Sequence, residues 1–103
     1  MNKVGARRRY YRWRIRKAIR EAQKKYRNFR ILCLPESPKW KTDLAYWYNA
    51  FLYVTEDGIA VQFAGYGCIS PPYKCDDLDE AVNKVVDWMI EHPSRWTIDY
   101  EPL

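Results

Sequence analysis

Residues 45–68 read AYWYNAFLYVTEDGIAVQFAGYGC, and this stretch decides the fold. β-Branched and aromatic residues crowd both halves, and Asp57-Gly58 divides them, a dipeptide suited to a tight hairpin turn. The reading is two antiparallel strands, 45–55 and 58–68, joined by that turn. Pairing Glu56 with Ile59 sets Val54 opposite Val61 and Leu52 opposite Phe63, an apolar face fit for a core. The other face pairs Tyr53 with Gln62, Phe51 with Ala64 and Trp47 with Cys68. It is less apolar yet far from polar, so something is expected to cover part of it, and a homodimer has room there.

Outward from the hairpin, Phe29–Leu34 (FRILCL) reads as a short strand ended by Pro35, and PESPKWKTD as a loop. SPPYKC at 70–75 reads as a turn-rich linker. Asp77 then caps a second helix that runs to Glu91, with Glu80 three residues on completing a capping box. Leu78, Ala81, Val82, Val85 and Met89 form its core stripe, with Trp88 flanking and Glu80, Asp87 and Glu91 toward solvent. Pro93 stops it, and Trp96, Ile98 and Tyr100 alternate in a last strand before Pro102.

Upstream, residues 6–28 read as one long helix. Tyr11, Ile15, Ala18, Ile19, Ala22 and Tyr26 recur at spacings of three and four, which at 100° per residue keeps them inside an arc of about 100°. Phe29 continues that line. The opposite face holds Arg9, Arg16, Arg20, Lys24 and Arg27, with Trp13 among them and Tyr10 leaning to the same side. The expected fold is therefore α+β: a long basic N-terminal helix, an antiparallel sheet of about four strands and a second helix on one face (α-β-β-β-α-β). Residues 1–28 form the basic arm and residues 29–103 a small body that folds with it as a single domain of a size suited to 103 residues.

Charge is divided unevenly along this chain. Residues 1–30 carry thirteen Lys/Arg against one acid, Glu21, whereas residues 31–103 carry five against twelve, so +12 faces −7. A basic arm on an acidic body points to an anionic partner for the arm, the alternative being that the arm folds back on its own body. Within residues 7–17, RRRYYRWRIRK, aromatic rings interleave with the cations. Trp13 on a cationic face either stacks on a nucleobase, a contact of roughly 1–3 kcal/mol, or lies under an Arg of its own helix, at about 0.5–1 kcal/mol. Arg outnumbers Lys nine to four in residues 1–30, and the guanidinium forks onto phosphate and stacks on planar groups, which suits RNA in particular. Anionic lipid is a further candidate, but a Tyr/Ile/Ala stripe lacks the Leu and Phe bulk that inserts well.

Other classes have less support. No apolar run is long enough to span a membrane, and the basic start lacks the apolar core of a secretory signal, although an Arg-rich amphipathic start also suits a mitochondrial transit peptide. Cys33, Cys68 and Cys75 are odd in number and form no CxxC pair, and His92 is the one histidine, so neither a disulfide framework nor a four-ligand zinc site is expected. Reduced thiols point to a cytoplasmic setting. Asp76, Asp77, Asp79 and Glu80 suit the positive end of a helix dipole better than a metal ion. Cys75, just before that helix, stands where a thiol pKa can be lowered. His92 has no evident Ser or Cys partner, and Gly65 and Gly67 read as bulge or strand-end glycines. No enzyme and no cofactor is implied.

The element order partly resembles the double-stranded-RNA-binding domain, which runs α-β-β-β-α. It departs in its final strand and in DDLDEA at the second helix, where that family is Lys-rich. The segment GARRRYYRWRIRKAIREAQKKYR, ahead of a compact α+β body, resembles small phage-type anti-CRISPR proteins. That resemblance implies a stoichiometric inhibitor of an RNA-guided nuclease, its basic helix on guide RNA or target DNA and its acidic body on basic protein surface. The expected function is non-catalytic binding of nucleic acid or a ribonucleoprotein by occlusion, through Arg7, Arg8, Arg9, Arg12, Trp13, Arg16, Arg20, Lys24 and Arg27. The alternative is a protein-interaction or anionic-membrane-surface module docking through the same helix.

Overall fold

The computed structural model describes residues 3–36, 48–65 and 68–103. Its elements are α1 (Lys3–Gln23), β1 (Phe29–Pro35), β2 (Asn49–Thr55), β3 (Gly58–Gly65), β4 (Cys68–Ile69), β5 (Tyr73–Cys75), α2 (Leu78–Glu91) and β6 (Trp96–Pro102). The α+β class holds, with more strands than the four expected. All pairings are antiparallel, in the order β4-β3-β2-β1-β6, and β5 joins the outer edge of β3 beside β4. The segment read as a turn-rich linker thus contains β5, which pairs Tyr73–Cys75 with Val61–Ile59. Its two prolines precede the strand, so the backbone donors of YKC remain available to an edge.

The hairpin forms with its register two residues from the expected one. Thr55 pairs with Gly58, Val54 with Ile59, Leu52 with Val61 and Ala50 with Phe63. Side chains alternate with a period of two, so this shift changes the partners and keeps every side chain on its face. Glu56 and Asp57 make the loop, and Gly58 follows with φ 135°, a backbone that side-chain-bearing residues rarely adopt. The Thr55 hydroxyl accepts from the Asp57 N–H at 3.2 Å, and Asn28 Oδ1 accepts from the Glu56 N–H at 2.8 Å. These bonds satisfy the turn, which keeps two loop residues but sits one residue earlier than expected, on Glu56-Asp57 instead of Asp57-Gly58. The expected strand residues 45–47 and the pairing of Trp47 with Cys68 lie outside the described residues, as do most of the PESPKWKTD loop and Gly67. Cys68 pairs with Gly65.

Both helices pack on one face of the sheet. Alternate residues Phe29, Ile31 and Cys33 of β1, Ala50 and Leu52 of β2, and Val61 of β3 are buried there. From α1 come Tyr11, Ile15, Ala18, Ile19 and Ala22, and from α2 Ala81, Val82, Val85, Val86 and Met89, all in the same hydrophobic cluster. Full burial of each large aliphatic or aromatic side chain contributes roughly 1.5–3 kcal/mol. α1 lies over β6 and β1, and α2 over β2 and β3. On the opposite face Arg30 spreads its guanidinium over Phe51, 5.4 Å from the ring centroid, and ion-pairs with Glu101. Tyr53 Oη donates to Gln62 Oε1 at 2.7 Å beside them. Part of the cover that this face was expected to need is therefore the side chain of Arg30.

Helix α1 is displaced toward the N-terminus relative to the expected 6–28. It ends at Gln23, where the Ala22 carbonyl accepts from both Lys25 N–H (3.0 Å) and Tyr26 N–H (2.8 Å). Tyr26 therefore leaves the helix and packs its ring toward Tyr100, with centroids 6.4 Å apart. The chain must turn here because Phe29 already belongs to β1. The free edge of the sheet, β6, is closed to further pairing at two points. Asp99 Oδ1 accepts the Tyr100 N–H at 2.8 Å, and Pro102 has no N–H to offer.

Candidate nucleic-acid interface

α1 carries the candidate site. Its stripe of Tyr, Ile and Ala is buried, with Ile15 and Ala22 fully so, and this burial fixes which way every other side chain points. Nine residues separate Trp13 from Ala22, half a revolution at 100° per residue, so Trp13 stands at the crest of the solvent face, 52% exposed. Arg9, Arg20 and Lys17 stand beside it along the crest and are exposed. The first turn of α1 holds no acid, so the positive end of its dipole adds to the cations there.

The flank of α1 toward α2 is different. Arg8 ion-pairs with Asp87, and Arg16 with Asp79. Eight residues separate the two arginines and eight separate the two aspartates, so the helices run antiparallel and Arg12 comes level with Asn83, midway between the pairs. Asp87, read as solvent-facing, is instead half-buried against Arg8, because α1 lies alongside α2 and covers that side. Beyond the helix, Arg27 pairs with Glu56 at 3.1 Å. Lys25 donates to the Tyr100 hydroxyl at 2.9 Å, and that hydrogen bond, more than any other influence, raises its pKa.

The residues named from sequence thus divide. Arg8, Arg16 and Arg27 hold carboxylates of the body. Arg7, Arg9, Arg12, Arg20 and Lys24 have no acidic partner among the described residues. The cation over Trp13 is not an arginine but Lys17, with Nζ 5.5 Å from the ring centroid. Sequence reasoning left Lys17 out, although it lies one turn beyond Trp13. Tyr10, 50% exposed, sits beside Trp13 with centroids 6.3 Å apart, and Arg14 donates to its hydroxyl at 2.9 Å.

The groups considered for chemistry are held structurally. Asp77 caps α2, its Oδ1 accepting the Glu80 N–H at 2.8 Å, while Glu80 Oε2 accepts the Asp76 N–H at 2.8 Å. Among the described residues no three His, Cys, Asp or Glu side chains gather as a metal site. The Cys75 pKa is raised rather than lowered: partial burial opposes the thiolate, and Glu80, Asp76 and Asp77 outweigh Lys84. Its position before the helix is cancelled by the acids that cap that helix. Burial pushes the Cys33 thiol up to about 12. His92 Nδ1 lies 2.9 Å from the Trp88 carbonyl oxygen, and its ring stacks on Tyr48 at 4.1 Å, so it closes the end of α2. Gly65 ends β3 where a Cβ would lie 2.8 Å from the Tyr48 ring. Among the described residues no helix is long and apolar enough to cross a membrane. In comparisons with known proteins, no family, no characterised sequence and no solved structure matches this chain.

Proposed function

We propose that this protein binds nucleic acid, free or within a ribonucleoprotein, through the crest of α1, and that it acts by occlusion without catalysis. One observation carries the reading: Arg9 and Arg20 flank an exposed Trp13 on the crest, Arg7 and Lys24 lie toward the two ends of α1, and none of the four has a carboxylate partner among the described residues, while five acids of the body are held by other arginines. From Arg7 to Arg20 the helix rises about 20 Å, the length of roughly six phosphates along one strand. The free thiols suit a cytoplasmic setting. Of the ribonucleoproteins, a CRISPR RNA-guided nuclease is the target that the N-terminal segment's resemblance implies, with the protein as a phage-type inhibitor.

Docking on anionic lipid has less support. The apolar side of α1 lies in the core, which leaves only electrostatic adsorption for a membrane. The test is polarisation of labelled structured RNA and duplex DNA across a salt series, beside sedimentation with anionic vesicles. If five or six phosphates are met, log K on duplex DNA falls with log salt at a slope of about −5. Arg9→Glu with Arg20→Glu flattens that slope by about 2 or more at unchanged melting temperature. A shallow slope that ignores the double reversal sinks the reading and directs the search to a protein or lipid partner.

A further inference from the structure

We infer that the crest of α1 takes unpaired nucleotides, as in single-stranded or looped RNA, in preference to a duplex. This rests on the reading above and concerns a different feature of the same surface, its rings. The core side of α1 already has its tyrosine, Tyr11, which is buried. Tyr10 and Trp13 are one turn apart on the outer side, half exposed, with planes 40° apart and centroids 6.3 Å apart. Tyr10 also meets the buried Tyr11, with centroids 5.8 Å apart, whereas Trp13 does not pack against the core. Each has a cation against it, Lys17 at 5.5 Å from Trp13 and Arg14 at 5.8 Å from Tyr10.

A ridge made only for duplex phosphates needs cations and no rings. Two bulky rings at its summit hold the helix off a paired backbone, whose base faces are closed by stacking. To use them on a duplex, the protein must unstack a base step. An unpaired base offers its face without that cost, and the flanking Arg9, Lys17 and Arg20 then meet the phosphates on either side. The ring contact therefore discriminates: base stacking on one aromatic residue changes affinity on the order of tenfold.

The experiment compares a labelled 15-nucleotide oligouridine RNA with a 15-base-pair RNA duplex, using the full chain, Trp13→Ala, Trp13→Phe and Arg9→Glu/Arg20→Glu. Melting temperature is followed for each variant. The expected result is tighter binding of the single strand. Trp13→Ala weakens it on the order of tenfold and leaves the duplex within about twofold, and Trp13→Phe restores most of the loss. If Trp13→Ala weakens both RNAs equally or neither, or the intact chain prefers the duplex, the inference is overturned. The cationic reading then stands, provided that the double reversal weakens binding and flattens its salt slope. If the intact chain binds neither RNA, the inference is overturned and the salt series on duplex DNA decides the cationic reading.

Discussion

Arg16 and Arg20 lie one turn apart on the same helix, and the structure treats them differently. Arg16 points toward α2 and holds Asp79, whereas Arg20 has no acidic partner among the described residues. The same contrast separates Arg8, paired with Asp87, from Arg9, on the crest. Helix α1 is thus three surfaces: a stripe that holds the core, a flank that holds α2, and a crest of exposed cations and rings. A cation's role follows from its angle around the helix axis, because the second helix covers only one side.

The stripe and the crest can be separated by paired substitutions. Ile15 is fully buried, so Ile15→Ala should cost about 2–5 kcal/mol, read by urea denaturation. Trp13→Ala, on the exposed side, should stay within about 0.5 kcal/mol of the parent. If the two substitutions cost the same, Trp13 has a packing role and the contrast between the faces fails. The flank and the crest are separated more finely. Arg16→Ala should lower stability by roughly 0.5 kcal/mol, since its partner Asp79 is well exposed and such pairs contribute little. Arg20→Ala should leave stability unchanged and lower the salt slope of nucleic-acid binding by about 1. Equal slopes for both variants would mean that the ligand competes Arg16 away from Asp79.

A further expectation concerns Cys33 and pH. Its thiol is raised from 9.0 to about 12 in the fold by complete burial. The stabilisation from burying it uncharged is fully present below about pH 9 and is lost as pH rises toward 12. In Cys33→Ala that loss is absent, so the stability advantage of the parent over the variant should shrink between pH 9 and pH 10.5. A difference that stays constant over this range would contradict the burial. Cys68, which is exposed, should meanwhile alkylate in the native protein, and Cys33 only on unfolding.

Periodicity carried much of this fold, since it reports which face of an element is apolar whatever lies opposite. Tyr11, Ile15, Ala18, Ile19 and Ala22 are buried as their spacing requires, and Asp77 caps α2 as its position before LDEA requires. Ends and registers were less legible. The chain leaves α1 at Gln23 because Phe29 must enter β1, although the apolar spacing continues to Tyr26. The hairpin register was set by bonds from Asn28 and Thr55 into the turn, and an even shift leaves the pattern of faces unchanged. Strand β5 escaped notice because three residues after two prolines carry no periodic signal, and only the open edge of β3 makes them a strand.

The candidate site divides in the same way. Composition and spacing alone determined that α1 is amphipathic, that its outer face is cationic and that Trp13 stands on that face, because the buried stripe orients everything else. Which arginines pair with the body's own carboxylates was decided by tertiary structure. The matched spacings of Arg8 with Arg16 and of Asp79 with Asp87 were in the sequence, but they acquire meaning only when α1 and α2 pack antiparallel. Pairing across two helices depends on distance in space, and a linear pattern reports only the angle around each helix taken by itself.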